Sequence, residues 1–326
     1  MAFPISRRTL LWLGCTTAAA AARGNTGIPQ VLVAMGNSRS SAQFSAADLA
    51  RHLDRLGWPG GRAVQMHDFY ADGRPAQLAE KLAPFVGMPR LVVVTDSVQA
   101  THAALKALPQ VPVVMVGGGD PVQAGLAVSL AQPGRSVTGV YNIGVDVAGK
   151  YVPLLREAMP KLARVGLLLD RRNPSAGGMR RAAMESAERL RVAGAVAEIQ
   201  GAEELAPALD ALARGGAQAL VVFNSPALSA MSNEILAFAQ RQRWPVVGSR
   251  AAWAHAGALI SYGPSPEEFA QRAAILVDKI LRGTPAGDLP FERPTRMQTV
   301  LNLRAARLLG LSVSNALLVQ ADLTIE

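Results

Sequence analysis

The chain of 326 residues contains one cysteine, Cys15. That excludes a disulfide framework and any thiolate metal cluster. Histidine is almost as scarce. His52, His67, His102 and His255 are dispersed, no H-x-x-x-H spacing occurs, and each reads as a surface residue, so no metal site is expected. No G-x-S-x-G elbow occurs, and no nucleophile, base and oxyanion donor assemble in the sequence, so no catalytic residue and no cofactor are assigned. Aromatic residues make up 5% and charged residues 17%. Beyond the first two dozen residues no apolar run approaches the ~20 residues of a spanning helix, which argues against direct membrane insertion.

What is present points to a folded, two-domain chain. Half of the residues are hydrophobic, enough for full cores, and the length fits about two domains at ~150 residues each. The net charge of +9 raises nucleic acid as a partner. The excess is scattered, however. Arg180, Arg181, Arg189 and Arg191 share a predicted helix but fall on more than one face, so the arginines read as solvated surface and no nucleic-acid partner is expected.

The start of the chain reads as an address. Arg7 and Arg8 precede a short apolar run and then a small-residue tract ending near Ala22. This is the three-part layout of a secretory signal, and the paired arginines give it a twin-arginine character. The expectation is a signal peptide over 1–22, export to the periplasm, and a mature chain without cysteine. Gly14-Cys15 raises lipid attachment, but Trp12, Leu13 and the shortness of the apolar run argue against it.

From residue 30 onward, short β-branched runs alternate with longer amphipathic ones. Strands are predicted over 30–35, 63–68, 91–94 and 111–116, with helices over 41–56, 74–85 and 97–108. The pattern restarts with strands over 165–169, 197–199, 219–223, 246–247 and 259–261, and helices over 179–192, 203–213 and 228–241. Strands separated by helices imply crossover units and parallel sheets. The boundary between the series falls near 141–143. The best-defined helix is 265–282, where Ser265-Pro266-Glu267-Glu268 reads as a capping box and Phe269, Ala273, Leu276 and Ile280 share a face. It follows the second series and is predicted to pack on the first domain. A helix over 147–159 meets Pro153, so it is expected to start late or kink.

Two glycine motifs carry less than they suggest. Gly144 to Lys150 nearly matches a phosphate loop, but Tyr151 stands where a small hydroxyl must reach magnesium. A helix start is the plainer reading. Gly117-Gly118-Gly119 after a strand reads as a turn with positive φ near a pocket rim. The stronger signal is polar punctuation where the strands end: Asn37 and Ser38, Asp96 and Ser97, Asn142, Asn173, Asn224 and Ser225, Arg250 and Tyr262. Open α/β sheets bind ligands at the carboxyl ends of their strands, and short hydroxyls and amides at helix starts suit a small polar or anionic molecule. Each residue also has a plain alternative as a helix cap. Two such ends facing each other would form a cleft that closes by hinging.

The segments VPVVMVGGGDPVQAGLAVSLAQPGRSVTGV over 111–140, ALISYG over 258–263, DLPFERPT over 288–295, and Leu301-Asn302-Leu303 resemble the ABC-transporter substrate-binding proteins of the tryptophan/tyrosine type. The likeness runs from about residue 28 to the end of the chain. It implies an α/β type I periplasmic-binding fold: two doubly wound, Rossmann-like parallel-sheet domains joined by a three-crossover hinge near 141–143, 262–264 and 291–294. Domain 1 would comprise 28–142 plus 264–292, and domain 2 would comprise 143–263 plus 293–326. The protein would be a monomer that binds a small solute (an amino acid, organic acid or nucleoside-like molecule) in the cleft. It would deliver that solute to a permease driven by a separate ATPase. Amino-acid-binding members often carry Asp where Ser225 stands, and Ser225 cannot pair an ammonium. Asp96-Ser97 replaces the family's usual Gly-Thr, so the solute stays open. Ser97 with its helix start is expected to hold an anionic group and Arg250 to clamp another. The competing reading is an exported α/β enzyme acting on a small polar metabolite.

Overall fold

In a computed structural model, the described residues are 27–326 except 40, 41, 43, 142 and 143. The expected signal peptide, Cys15 and Asn142 lie outside them. Five strands form one sheet: β1 (Gln30–Met35), β2 (Gln65–Tyr70), β3 (Leu91–Thr95), β4 (Val113–Val116) and β5 (Val137–Val140), in the order β2-β1-β3-β4-β5. Every pairing in it is parallel. Helices α1 (Ala46–Arg55), α2 (Leu78–Leu82) and α3 (Val98–Ala107) connect these strands. The central strand β3, LVVVT, is buried along its whole length, as a strand covered on both faces must be.

The second sheet holds β6 (Arg164–Asp170), β7 (Ala193–Ile199), β8 (Ala219–Val222), β9 (Val246–Gly248), β10 (Ile260–Pro264), β11 (Met297–Asn302) and β12 (Leu323–Ile325). Their order is β12-β11-β10-β9-β8-β6-β7; β10 and β11 pair antiparallel, so β11 and β12 run against the other five. Around it lie α4 (Gly144–Ala158), α5 (Ala176–Arg189), α6 (Leu205–Arg214), α7 (Pro226–Ala230), α8 (Ser232–Arg241) and α9 (Ala251–Ala256). After them come α10 (Pro266–Leu281), α11 (Leu303–Leu309) and α12 (Asn315–Gln320).

Helix α10 leaves the second sheet and packs on the first, as its sequence position and apolar face predict. Phe269, Ala270, Ala273, Ala274, Leu276 and Val277 are buried in one core with Val31, Val33, Val92 and Val94. Burial of a side chain such as Phe269 or Leu276 contributes about 1.5–3 kcal/mol. The chain then returns beside its first crossing. Tyr141 N donates to Glu292 O at 3.0 Å, and Glu292 N donates to Gly139 O at 2.9 Å.

Local chemistry moved several expected boundaries. The Ser265 hydroxyl accepts from Glu268 N, but the capping box is only half formed. The Glu268 carboxylate turns instead to Thr295 N (3.0 Å), Thr295 Oγ1 (2.7 Å) and Arg296 N (2.7 Å), tying α10 to the returning strand. The complete capping box belongs to Ser45 and Asp48 on α1. Glu267 reaches the Nε2 of His52 at 3.1 Å, and His52 is buried against α10 rather than exposed as expected.

Helix α4 starts earlier than expected and runs through Pro153. Proline cannot donate to the carbonyl four residues back. That carbonyl, of Gly149, accepts from the Ser186 hydroxyl at 2.8 Å, so the break in the ladder is repaired from outside. The predicted helix over 74–85 is broken by Pro75 and Pro84 into 3-10 turns flanking a five-residue α2. The one over 228–241 divides at Met231 into α7 and α8.

Candidate functional site

Both sheets send the loops from their strand ends toward each other. On the first, Asp96 follows β3 and lies 3% exposed. Its carboxylate accepts from Gly36 N at 2.7 Å, from Asn37 N at 3.2 Å, and from the Asn37 side-chain amide. The loop after β1 is thereby folded onto the end of β3. Gly36 permits this, because a Cβ there would come within 3.1 Å of Ser97 Oγ and 3.3 Å of Asp96 Oδ1.

Across the gap, Arg250 follows β9 and is 8% exposed. Its Nη2 donates to Asn37 Oδ1 at 2.9 Å and also to the Ser229 hydroxyl of α7. The Nε of Arg250 is buried without a hydrogen-bond partner. Burial pushes the guanidinium pKa down to about 10, against the pull of Asp96 and Tyr151. Arg250 therefore remains a cation at neutral pH. A continuous polar chain, Asp96–Asn37–Arg250–Ser229, spans from one sheet's strand ends to the other's.

A second cluster sits at the ends of β6 and β8. Ser225 Oγ donates to Asp170 Oδ2 at 2.7 Å and caps α7 by accepting from Ala227 N at 3.1 Å. Arg172 returns to Asp170 through its backbone N (3.0 Å), Nε (3.1 Å) and Nη2 (3.3 Å). Asn173 Nδ2 donates to Asn224 O at 2.8 Å. Asp170 and Arg172 border a cavity of about 440 Å³ shared with Gly73, Gln99, His102 and Lys106 from the first sheet's side.

Of the residues singled out by the sequence, Asp96 and Arg250 are thus joined through Asn37. Asn173, Asn224 and Ser225 form the second group. Ser38 borders a cavity of about 540 Å³ with Arg250, Ser229 and Trp253. The Ser97 hydroxyl is committed to capping α3, accepting from Ala100 N at 3.2 Å, rather than standing open for an anion. Tyr262 packs on the core beneath α4, and burial raises its hydroxyl pKa, with Asp322 adding to the effect. The Gly117–Gly119 turn has φ of 88° at Gly117 and 89° at Gly118, as expected, and Gly119 lies against Ser175 of the opposite sheet's loop.

Two functional candidates escaped the sequence. Tyr151 read only as the residue that spoils a phosphate loop. It is buried on the inner face of α4 with Val147, Ala148, Val152 and Leu155, and it senses the charge of Arg250. The spacing of that apolar face was the available signal. Ser229 had none, being one serine within a predicted helix. Among the described residues, no group of three or more His, Cys, Asp or Glu could hold a metal ion. No helix among them is long and apolar enough to cross a membrane.

Residues 48–325 match the family model for the ABC transporter substrate binding protein. The chain belongs to that family. This substrate-binding protein is 23% identical over 309 residues to a tyrosine-binding protein of Clostridioides difficile strain R20291, covering 91% of this chain and 85% of that one. Its fold superposes on a conserved domain protein from Vibrio cholerae O1 biovar El Tor with a TM-score of 0.82 at 23% identity, covering 91% and 100% of the two chains. It also superposes on an ABC domain in complex with L-Trp from Streptococcus pneumoniae with a TM-score of 0.80 at 19% identity, covering 92% and 100%. The substrate-binding protein therefore has the two-sheet α/β architecture of type I periplasmic binding proteins. One of these relatives is named for tyrosine and another was solved in complex with L-Trp.

Proposed function

We propose that this substrate-binding protein captures a small polar or anionic solute between its two lobes in the periplasm, after export behind a signal over residues 1–22. It then hands the solute to a permease powered by a separate ATPase. The lobes are taken as 28–142 plus 264–292 and 143–263 plus 293–326, hinged at the three crossings. One observation carries this reading. The strand ends of both sheets are joined by the buried chain Asp96–Asn37–Arg250–Ser229, so polar groups from both lobes converge on one point. Contacts to the solute are assigned to Asn37, Ser38, Asp96, Ser97, Asn142, Asn173, Asn224, Ser225, Arg250 and Tyr262, with Ser97 contributing backbone rather than hydroxyl. The relatives named for tyrosine and L-Trp put amino acids on the list of solutes, beside organic acids and nucleosides.

A thermal-shift screen of those three classes tests the reading. A solute at 100 times its Kd stabilises the folded protein by about 2.7 kcal/mol. For a chain of this size that is an increase of a few degrees in Tm. A well-folded preparation that shifts with no solute would overturn the proposal.

A further inference from the structure

The chemistry of the solute can be narrowed, on the reading that the cleft is the capture site. The Nε and Nη2 groups of a guanidinium form one fork, spaced to bind both oxygens of a carboxylate side-on. In Arg250 that fork is half used. Nη2 donates to Asn37 Oδ1 at 2.9 Å and to Ser229, while Nε is buried and unpartnered. A carboxamide presents one oxygen and can fill one tine only. A buried charge left incompletely bonded is costly, so a carboxylate arriving at this point gains both the second bond and the charge.

At the same strand ends the described carboxylates are largely occupied by the protein's own donors. Asp170 takes four donors, from Arg172 N, Nε and Nη2 and from the Ser225 hydroxyl, which saturates its lone pairs. From the described residues Asp96 takes three, from Gly36 N and from the backbone and side chain of Asn37, which leaves about one acceptor site. Asp120, after β4, is turned to its own loop, accepting from Val122 N at 2.8 Å and Gln123 N at 3.2 Å.

We propose that Arg250 selects a solute bearing a carboxylate and no ammonium group, and that the Asn37 carboxamide holds the carboxylate's place until the solute arrives. The incoming carboxylate takes Nε and Nη2 together and releases Asn37 Oδ1. Asn37 remains tied to Asp96 through its amide hydrogens. Asn37 is then an internal competitor, and the lobes exchange a bond to each other for a bond through the solute.

The test is a calorimetric titration of the mature protein with three matched sets that differ in body size. They are lactate, lactamide and L-alanine; 4-methylpentanoate, its amide and L-leucine; and 3-phenylpropanoate, its amide and L-phenylalanine. In the set whose body fits, the acid is expected to bind about 100-fold tighter than its amide and at least as tightly as the amino acid. Arg250→Gln is expected to abolish the preference for acid over amide. Asn37→Ala, which leaves Arg250 in place and serves if Arg250→Gln does not fold, is expected to tighten acid binding about tenfold by removing the competitor. Equal binding of acid and amide overturns the inference. So does an amino acid bound more tightly than its acid, a preference that survives Arg250→Gln, or weaker acid binding in Asn37→Ala. Should none of the three sets bind while a solute without a carboxylate does, the inference falls and the receptor reading stands. Should nothing in the wider screen bind, both fall.

Discussion

Asp96 and Asp170 are two buried carboxylates in matching places, one just past β3 of the first sheet and one closing β6 of the second. Their surroundings differ. Asp170 meets a cation directly, in Arg172, and a hydroxyl from Ser225. Among the described residues Asp96 accepts from neutral donors, and the cation Arg250 is reached through Asn37. The first arrangement neutralises a charge where it stands and holds a loop. The second leaves the charge to act across the gap between lobes. Matching positions on two similar sheets therefore serve different ends, and what divides them is the distance at which the countercharge is kept.

The comparison breaks or sharpens under five measurements. The largest effect is expected for Asp96→Ala, which strands two buried backbone donors and the Asn37 amide. Chemical denaturation should show a loss of about 4 kcal/mol. Asp170→Ala should lose about half as much, about 2 kcal/mol, because Arg172, with its side chain 53% exposed, turns to water. A double-mutant cycle between Asp170 and Arg172 should give a coupling within about 1 kcal/mol, and a larger value would mean the two carboxylates are more alike than argued. A bond without charge on either side sets the scale below the two aspartate substitutions. Ser186→Ala leaves the Gly149 carbonyl at Pro153 unpaired and should lose about 1.5 kcal/mol.

The smallest effect concerns a third carboxylate. Burial raises the pKa of Glu268, but hydrogen bonds from Thr295 and Arg296 and the charge of Arg272 outweigh it, and the net shift is downward. A carboxyl held lower in the folded than in the unfolded state stabilises above its unfolded pKa, and that contribution disappears as pH falls through the folded value. Wild type should therefore lose more stability than Glu268→Gln between about pH 6 and about pH 3. An equal loss would mean that the bonds from Thr295 and Arg296 do not hold the Glu268 carboxylate ionised.

Much of this architecture was legible in the chain. Runs such as QVLVAM and LVVV declare buried parallel strands, because continuous β-branched stretches bounded by turns have few other uses. The position of α10 followed from its apolar face and from its place after the second series. β5, β11 and β12 were missed as strands. They span four, six and three residues, and MQTVLN alternates in neither period. Helix breaks at Pro75 and Pro84 were visible as residues but not weighed against the apolar spacing around them. At the site, the polar strand ends marked the region, and Asn37, Asp96 and Arg250 were on the list. The distinction between a residue that caps and one that bridges was not legible. Ser97 and Arg250 look alike as strand-end polar groups, and only the third dimension turns one inward to a helix and the other across to Asn37.

Gly119 faces Ser175, with one lobe's loop resting on the other's; an added carbon would meet the Ser175 hydroxyl, which can rotate away, and would lie 3.4 Å from its Cβ. Its backbone lies outside the left-handed region, so alanine is conformationally acceptable there. A side chain much longer than alanine's at that spot would act as a doorstop. Such a receptor, propped ajar yet otherwise whole, would separate two things an importer could sense: that a cargo is aboard, and that the jaws have met.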